Sequence, residues 1–151
     1  MNRVWTFLLS TLLDDAQLEH LLQDGRTFVK GWTAHDQQLE GRFEIFEKRI
    51  LVVRVNETVT AASGCSIDKL TRFIKDLEQR YQVSLFNRLL VAYNANGKLE
   101  VVPAAKIKEL LAQKSITEHT IVYNTAVANE DELAHWEQAL KNTWLNKYLP
   151  I

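Results

Sequence analysis

The residues best suited to chemistry lie in the segment AASGCSIDKL, residues 61–70, which contains the only cysteine of the chain, Cys65. Ser63, Gly64 and Ser66 surround this thiol, and an apolar helical pattern begins directly after them. Backbone N–H groups at the start of a helix, together with the positive end of the helix dipole, can bind an anion. The same field favours the thiolate form of a cysteine, so the segment could be a ligand-binding loop or hold a nucleophile.

A purely structural interpretation of the same segment competes with both. Ser63 or Ser66 would cap the helix, Gly64 would make the turn, and Cys65 would be a small buried apolar residue. Asp68 opposes a bound anion and a thiolate alike, because it already places negative charge in the first predicted turn. The structural role is therefore the first expectation, and the ligand loop and the nucleophile are its alternatives.

A nucleophilic cysteine needs a base, which is usually a histidine. Among the four histidines, His35 is the best candidate because it lies in the loop after the first predicted helix, and loops hold sites more often than element interiors do. Glu57 follows a strongly apolar strand shortly before Cys65. Trp32 lies on an apolar helical stripe, which favours core packing over stacking on a ligand. The catalytic candidates are Cys65, His35 and Glu57, and the ligand-binding candidates are Ser63, Gly64, Ser66 and Trp32.

Composition narrows the class of protein. The chain has 151 residues, of which 46% are hydrophobic and 25% charged, as expected of one soluble globular domain. A net charge of −1 without a basic stripe argues against nucleic-acid binding. One cysteine allows no internal disulfide, and no HxH, HExxH or CxxC spacing occurs, so neither a metal nor a cofactor is predicted. A reducing, cytoplasmic setting is the default, and no apolar run is long enough for membrane insertion.

Apolar periodicity predicts ten elements in the order β-α-β-β-α-β-β-α-β-α. Asp14 and Gln17 have the spacing of a capping box at the start of the first helix, which could falter at Gly25. Asn96–Gly97 favours a tight hairpin turn. The predicted strands are residues 4–9, 39–47, 50–56, 89–93, 99–102 and 120–124, and the predicted helices are residues 14–31, 67–81, 104–113 and 129–147.

Because hairpins alternate with helices along the chain, we expect an α+β fold with a mixed, mostly antiparallel sheet covered by helices. Nothing marks a linker, so residues 1–151 are expected to form a single domain. The first six elements match the βαββαβ order of the ferredoxin-like fold. The last helix is predicted from Leu133, Trp136, Leu140 and Trp144, and Trp144 could instead anchor a partner.

Several short segments of the sequence resemble those of a family of short bacterial proteins that are often labelled "ABC transporter ATPase". The resemblance rests on Trp32-x-x-His35, on the strand end Val55–Asn56–Glu57 and above all on ASGCSID at residues 62–68, with Leu77–Glu78, Trp136 and Trp144. It covers nearly the whole chain and implies no established activity. The label itself is not supported, because the chain lacks a phosphate loop with lysine, a Walker B strand and an LSGGQ-type signature.

The sequence contains no complete catalytic constellation, which leads to the first functional hypothesis: a non-enzymatic cytoplasmic module that binds a protein partner or a second copy of itself. The alternative is a small-molecule-binding protein or enzyme whose site lies between His35, Glu57 and Cys65. In that case Cys65 would be the nucleophile or a ligand contact, and His35 would be the base. The alternative requires these side chains to meet in one cleft.

Overall fold

The structure is a computed structural model that describes residues 2–150 and contains two antiparallel sheets. The first sheet has three strands in the spatial order β1 (Asn2–Leu8), β5 (Ile50–Asn56) and β4 (Gly41–Phe46). The second sheet has four strands in the order β7 (Lys98–Pro103), β6 (Leu90–Ala95), β8 (Ile121–Tyr123) and β9 (Glu137–Ala139). A small separate hairpin contains β2 (Thr33–Ala34) and β3 (Gln37–Gln38).

The two sheets pack face to face, and helices cover their outer faces. Alternate residues of β5 show this, because Leu51, Val53 and Val55 pack with the helices while Ile50 and Val52 pack with the second sheet. The helices over the first sheet are α1 (Asp15–Lys30) and α2 (Gly64–Tyr81). A third core lies under α3 (Ile107–Ala112), on the outer face of the second sheet. The layers are therefore helix, sheet, sheet, helix.

The predicted α+β class is confirmed, and so are both capping signals. Asp14 and Gln17 cap α1 reciprocally, and Ser63 and Ser66 do the same for α2. Every strand pair among residues 2–150 is antiparallel. A ferredoxin-like core is not confirmed, because β6, the last strand of the βαββαβ unit, lies in the second sheet rather than beside β1.

The prediction of a closing helix at residues 129–147 is wrong. This segment forms the one-turn helix α4 (Glu130–Leu133), strand β9, and two 3₁₀ turns at Leu140–Asn142 and Trp144–Tyr148. Its apolar residues belong to different cores: Trp136 packs between the sheets, and Leu140 packs under α3. Trp144 is 55% exposed, so its predicted place in the core is also wrong.

A hydrogen-bonded cluster joins α1 to the end of α2. The hydroxyl of Tyr81 donates to Oδ2 of Asp24 at 2.6 Å, and Nη1 of Arg80 lies 2.8 Å from the same oxygen. Burial, followed by the hydrogen bond to Asp24 and the charge of that carboxylate, raises the pKa of Tyr81 to about 12. The phenol is therefore held in its neutral form well above its ordinary range.

Stability is expected to fall as the pH rises from 10 to about 12. An unfolded tyrosine ionises near 10.0 and folded Tyr81 near 12, so the folded state binds the proton more tightly and its advantage is lost across this interval. The measurement is the free energy of unfolding in urea against pH. Tyr81→Phe should show a flatter alkaline decline than the natural chain, and identical declines would contradict the assignment.

Candidate functional site

The first turn of α2 and the β2–β3 hairpin line a single open cleft of about 670 Å³. This volume is in the range of small-molecule sites. The cleft brings together the predicted nucleophile, Cys65, and the predicted base, His35, which lie 30 residues apart in the chain. The lining residues are Thr33, His35 and Asp36 from the hairpin and Ser63, Gly64, Cys65 and Lys69 from the start of α2.

One wall of the cleft, the hairpin wall, is the two-residue turn between β2 and β3, and the other, the helix wall, is the first turn of α2. Ala34 pairs with Gln37, so His35 and Asp36 form the turn between them. Both have left-handed backbone conformations, with φ of 52° and 62°, as a tight turn that matches the strand twist requires. Histidine and aspartate tolerate this conformation better than most residues other than glycine. Both residues of the turn line the cleft.

Trp32 connects the two walls. Its indole Nε1 donates to the carbonyl oxygen of Ser66 in α2 at 2.8 Å, and its own carbonyl oxygen accepts from the side-chain amide of Gln38 in β3 at 3.1 Å. The ring is 1% exposed, so the core packing that the sequence favoured is confirmed, and Trp32, a ligand-binding candidate, is not available to stack on a ligand. Trp32 instead fixes the hairpin relative to the first turn of α2.

Ser63 and Ser66 act on the backbone of the helix start. The N–H of Ser63 donates to Oγ of Ser66 at 2.7 Å, and the N–H of Ser66 donates to Oγ of Ser63 at 3.2 Å. Ser66 is fully buried, so this ligand candidate does not reach the cleft. Within the described residues, the N–H groups of Gly64 and Cys65 have no hydrogen-bond partner. These two donors remain available at the cleft.

The expectation that Cys65 is a small buried residue is wrong, because the thiol is exposed and the buried position is taken by Ser66. Asp68, which was expected to oppose an anion here, is exposed and does not line the cleft. The carboxylate at the cleft is Asp36, on the opposite wall. The helix start therefore presents its N–H groups to the cleft beside Lys69 rather than beside an acidic side chain.

Glu57 was predicted to contribute to the same site as Cys65 and His35, but it lies in the loop between β5 and α2 and makes a backbone contact there. Its Oε2 accepts a hydrogen bond from the N–H of Ala62 at 2.9 Å, which closes the loop between β5 and α2. It is not among the residues that line the cleft. Two of the three catalytic candidates, Cys65 and His35, thus line the same cleft, and Glu57 stabilises the loop that precedes α2.

Sequence reasoning assigned no role in the site to Asp36 or Lys69. Lys69 follows Cys65 by four residues, which places the two on one face of a helix, so the spacing alone could have identified it. The signal for Asp36 is weak, because the tolerance of His35 and Asp36 for a left-handed conformation does not by itself identify a turn. The strands on either side have two residues each, too few for an alternating pattern.

A second cleft, of about 530 Å³, lies at the open edge between β4, β5 and α4. Its central group is Arg54, whose Nη1 lies 3.0 Å from Oε1 of Glu130 and whose Nε lies 3.2 Å from Oε1 of Glu44. The contact with Glu44 is an ion pair that does not meet hydrogen-bond geometry. These paired charges hold α4 against the first sheet, which accounts for their position. None of the predicted site residues lines this cleft.

Among residues 2–150, no three or more histidine, cysteine, aspartate and glutamate side chains are grouped so that they could hold a metal ion. No helix in the same range combines the length and the apolar character needed to cross a membrane. Comparison of the chain with protein-family models, with curated proteins and with solved structures found no significant match. Membership in the family that the sequence resembles therefore stays a prediction.

Proposed function

We propose that the chain binds a small polar molecule carrying an anionic group, and that the cleft between the β2–β3 turn and the start of α2 is the site. The observation that carries the proposal is the convergence of side chains from two separate elements on one cleft. His35 and Asp36 come from the hairpin, and Cys65 and Lys69 come from the helix. Trp32, which is hydrogen-bonded to both elements, supports the convergence.

The helix wall supplies the groups that suit an anion. Lys69 contributes a positive charge, and the N–H groups of Gly64 and Cys65 point outward at the positive end of an 18-residue helix. The hydroxyl of Ser63 adds a further polar group. An anionic group placed here would be bound by a charged side chain and by backbone donors together.

Binding is better supported than catalysis. Glu57 is bonded to Ala62 rather than turned toward the thiol. Within the described residues, Cys65 and His35 share the cleft without a hydrogen bond between them. Nucleophilic catalysis by Cys65 with His35 as base stays the alternative, and the feature that favours it is an exposed thiol that lines the same cleft as a histidine.

Inorganic phosphate is a suitable first probe of the site. Because a ligand that binds only the folded state stabilises it by mass action, the unfolding temperature should rise with phosphate concentration at constant ionic strength. Lys69→Gln should weaken the apparent affinity by about two- to fivefold, the effect of one exposed charge. The measurement is the thermal midpoint as a function of phosphate concentration.

Lys75→Gln is the matched control, since Lys75 is an exposed lysine of the same helix that does not line the cleft. It should bind phosphate like the natural chain. Equal losses in Lys69→Gln and Lys75→Gln would show a general charge effect and would reject the cleft as the site. Absence of any phosphate-dependent stabilisation at saturating concentration would reject an anion site altogether.

Binding of a protein partner or self-association, the first hypothesis from the sequence, stays a prediction. Large apolar side chains are exposed at Leu12, Val59, Phe86, Leu89 and Trp144, but single exposed apolar residues are common on soluble proteins. Light scattering over a range of protein concentrations would test self-association. The cytoplasmic location also stays a prediction, and the exposed thiol of Cys65 is compatible with a reducing compartment.

A further inference from the structure

Strand β4 is an edge of the first sheet, and its outer backbone groups are unpaired. It pairs only with β5, and the N–H of Asn56 at the end of β5 donates to the carbonyl oxygen of Glu40 at 3.0 Å. Because hydrogen-bonded pairs alternate along an antiparallel ladder, Gly41, Phe43 and Ile45 turn their N–H and C=O groups away from β5. Within the described residues, no backbone hydrogen bond outside the ladder involves these three. The edge therefore offers donors and acceptors to another strand.

The second cleft, of about 530 Å³, runs along this edge. Four consecutive residues, from Glu44 to Glu47, line one side of it, and residues of α4 with Trp136 line the other. Neighbouring residues of a strand point to opposite faces, so a cleft lined by four in succession follows the edge of the strand rather than one face. A chain segment added to β4 would therefore lie in the cleft.

The cleft has an excess of negative charge beside an apolar surface. Its lining includes the carboxylates of Glu44, Glu47 and Glu130 but only one basic group, the guanidinium of Arg54, which leaves a net charge of −2. Trp136 is among the apolar residues of the lining. A lysine or arginine suits such a cleft, because its aliphatic stem covers apolar surface while its charge reaches the carboxylates.

We infer that β4 binds an extended segment of a partner protein, which adds to the sheet as an antiparallel strand and places a lysine or arginine in the cleft. Added strands gain affinity from the backbone and selectivity from side chains. Glu44 lies between the outward-facing residues, so it would form a non-hydrogen-bonded pair with the new strand, in which side chains are closest. Arg42 is exposed two positions earlier, so an acidic residue two places after the basic one completes the match. The anion site is lined by other residues, and this inference does not rest on it.

A second copy of the chain does not fit this edge, although β4 itself has the matching charge order at Arg42 and Glu44. Helix α1 packs directly on β4, with Gly25 against the ring of Phe43. In a dimer joined through β4, the two α1 helices would lie over neighbouring strands about 4.8 Å apart, whereas packed helices need about 8–10 Å. The occupant is therefore a segment that carries no covering helix.

Two peptides of equal composition test the charge order. In the blocked peptide Thr-Val-Lys-Val-Glu-Val-Thr the lysine precedes the glutamate, and in the control peptide these two are exchanged. The first should bind about five- to tenfold more tightly, because the control places glutamate opposite Glu44 and lysine opposite Arg42. The measurement is the fluorescence anisotropy of the labelled peptide during titration with the protein. Glu44→Gln should reduce this preference, and Glu109→Gln, at an exposed position of α3 outside the cleft, should keep it.

N-methylated forms of the first peptide test the strand pairing. The valine between lysine and glutamate lies opposite Phe43, so its N-methylation removes a backbone donor and should weaken binding at least about tenfold. N-methylation of the lysine, whose N–H would point away from β4, should change the affinity by less than about twofold. Equal affinity for both charge orders, equal effects of the two N-methyl groups, an unchanged preference in Glu44→Gln or no saturable binding would each overturn the inference. A dimer that the peptide dissociates would assign the edge to a second copy and would also overturn it.

Discussion

Gly25→Ala is expected to destabilise the protein by about 2–3 kcal/mol, although an alanine in place of a helical glycine ordinarily stabilises by about 1 kcal/mol. Gly25 is buried in α1, and a Cβ atom there would lie 2.2 to 2.5 Å from ring atoms of Phe43 in β4. Phe43 is itself buried and packs edge-on against Phe73, so its ring has little room to move. The cost is that of an overpacked core, and urea unfolding measures it.

Gly31→Ala provides the matched control. A Cβ atom at Gly31 would meet nothing within 4 Å, and its φ of −102° is open to any residue. This variant should change the free energy of unfolding by no more than about 0.5 kcal/mol. Phe43→Leu should relieve part of the cost in the Gly25→Ala background, giving a non-additive double-mutant cycle. Additive effects, or a stable Gly25→Ala protein, would contradict the packing of α1 on β4.

Trp32→Ala is expected to remove about 3–5 kcal/mol of stability, because a buried tryptophan leaves a large cavity when it is truncated. The indole packs at 5.9 Å from the ring of Trp5 and 5.2 Å from that of Phe28, measured between centroids. The same substitution deletes the hydrogen bond to the carbonyl of Ser66 that connects the walls of the cleft. Urea unfolding measures the loss of stability.

The Trp32→Phe variant separates the contribution of core packing from that of the hydrogen bond that positions the hairpin. Phenylalanine keeps much of the buried surface but has no N–H for the Ser66 carbonyl, so we expect a smaller loss of about 1–3 kcal/mol. If the indole positions the hairpin, this folded variant should also bind phosphate more weakly than the natural chain. Natural affinity for phosphate in Trp32→Phe would show that the hydrogen bond does not hold the cleft in shape.

The start of α2 is the part of the site that could be predicted best from the sequence. Its apolar stripe, its serine cap and the apolar strand before it are all local signals. The structure places Cys65 at the beginning of this helix, shortly after β5, the central strand of the first sheet. The exposure of the thiol could not be predicted, because the apolar pattern that identifies the helix begins only after it.

The C-terminal segment shows why periodicity fails where two cores are close together. Apolar residues spaced by three and four were expected on one helical face, but Trp136 contacts Phe46 and Tyr123 between the sheets, whereas Leu140 points to the core under α3. The backbone between them pairs with β8 as strand β9. Tertiary pairing therefore overrides the local helical pattern.

The β2–β3 hairpin has almost no sequence signal, yet it forms one wall of the cleft. Its strands have two residues each, and its turn contains His35–Asp36 instead of a glycine. The Asn96–Gly97 turn has positive φ at both positions as well and was recognised, because asparagine and glycine are typical of it. The burial of Trp32 against α2 and the hydrogen bonds of Gln38 stabilise the His35–Asp36 turn. The long-range contact of Trp32 with Ser66 cannot be deduced from local sequence.

The central claim is that an anion binds where the hairpin meets the first turn of α2. Its most direct test is a titration of the isotopically labelled protein with inorganic phosphate, followed through the backbone amide resonances in nuclear magnetic resonance spectra. The claim predicts saturable shifts that are largest at Gly64 and Cys65, with smaller ones at His35 and Asp36. Shifts confined to lysines and arginines elsewhere, or no saturable shift at Gly64 and Cys65, would contradict it.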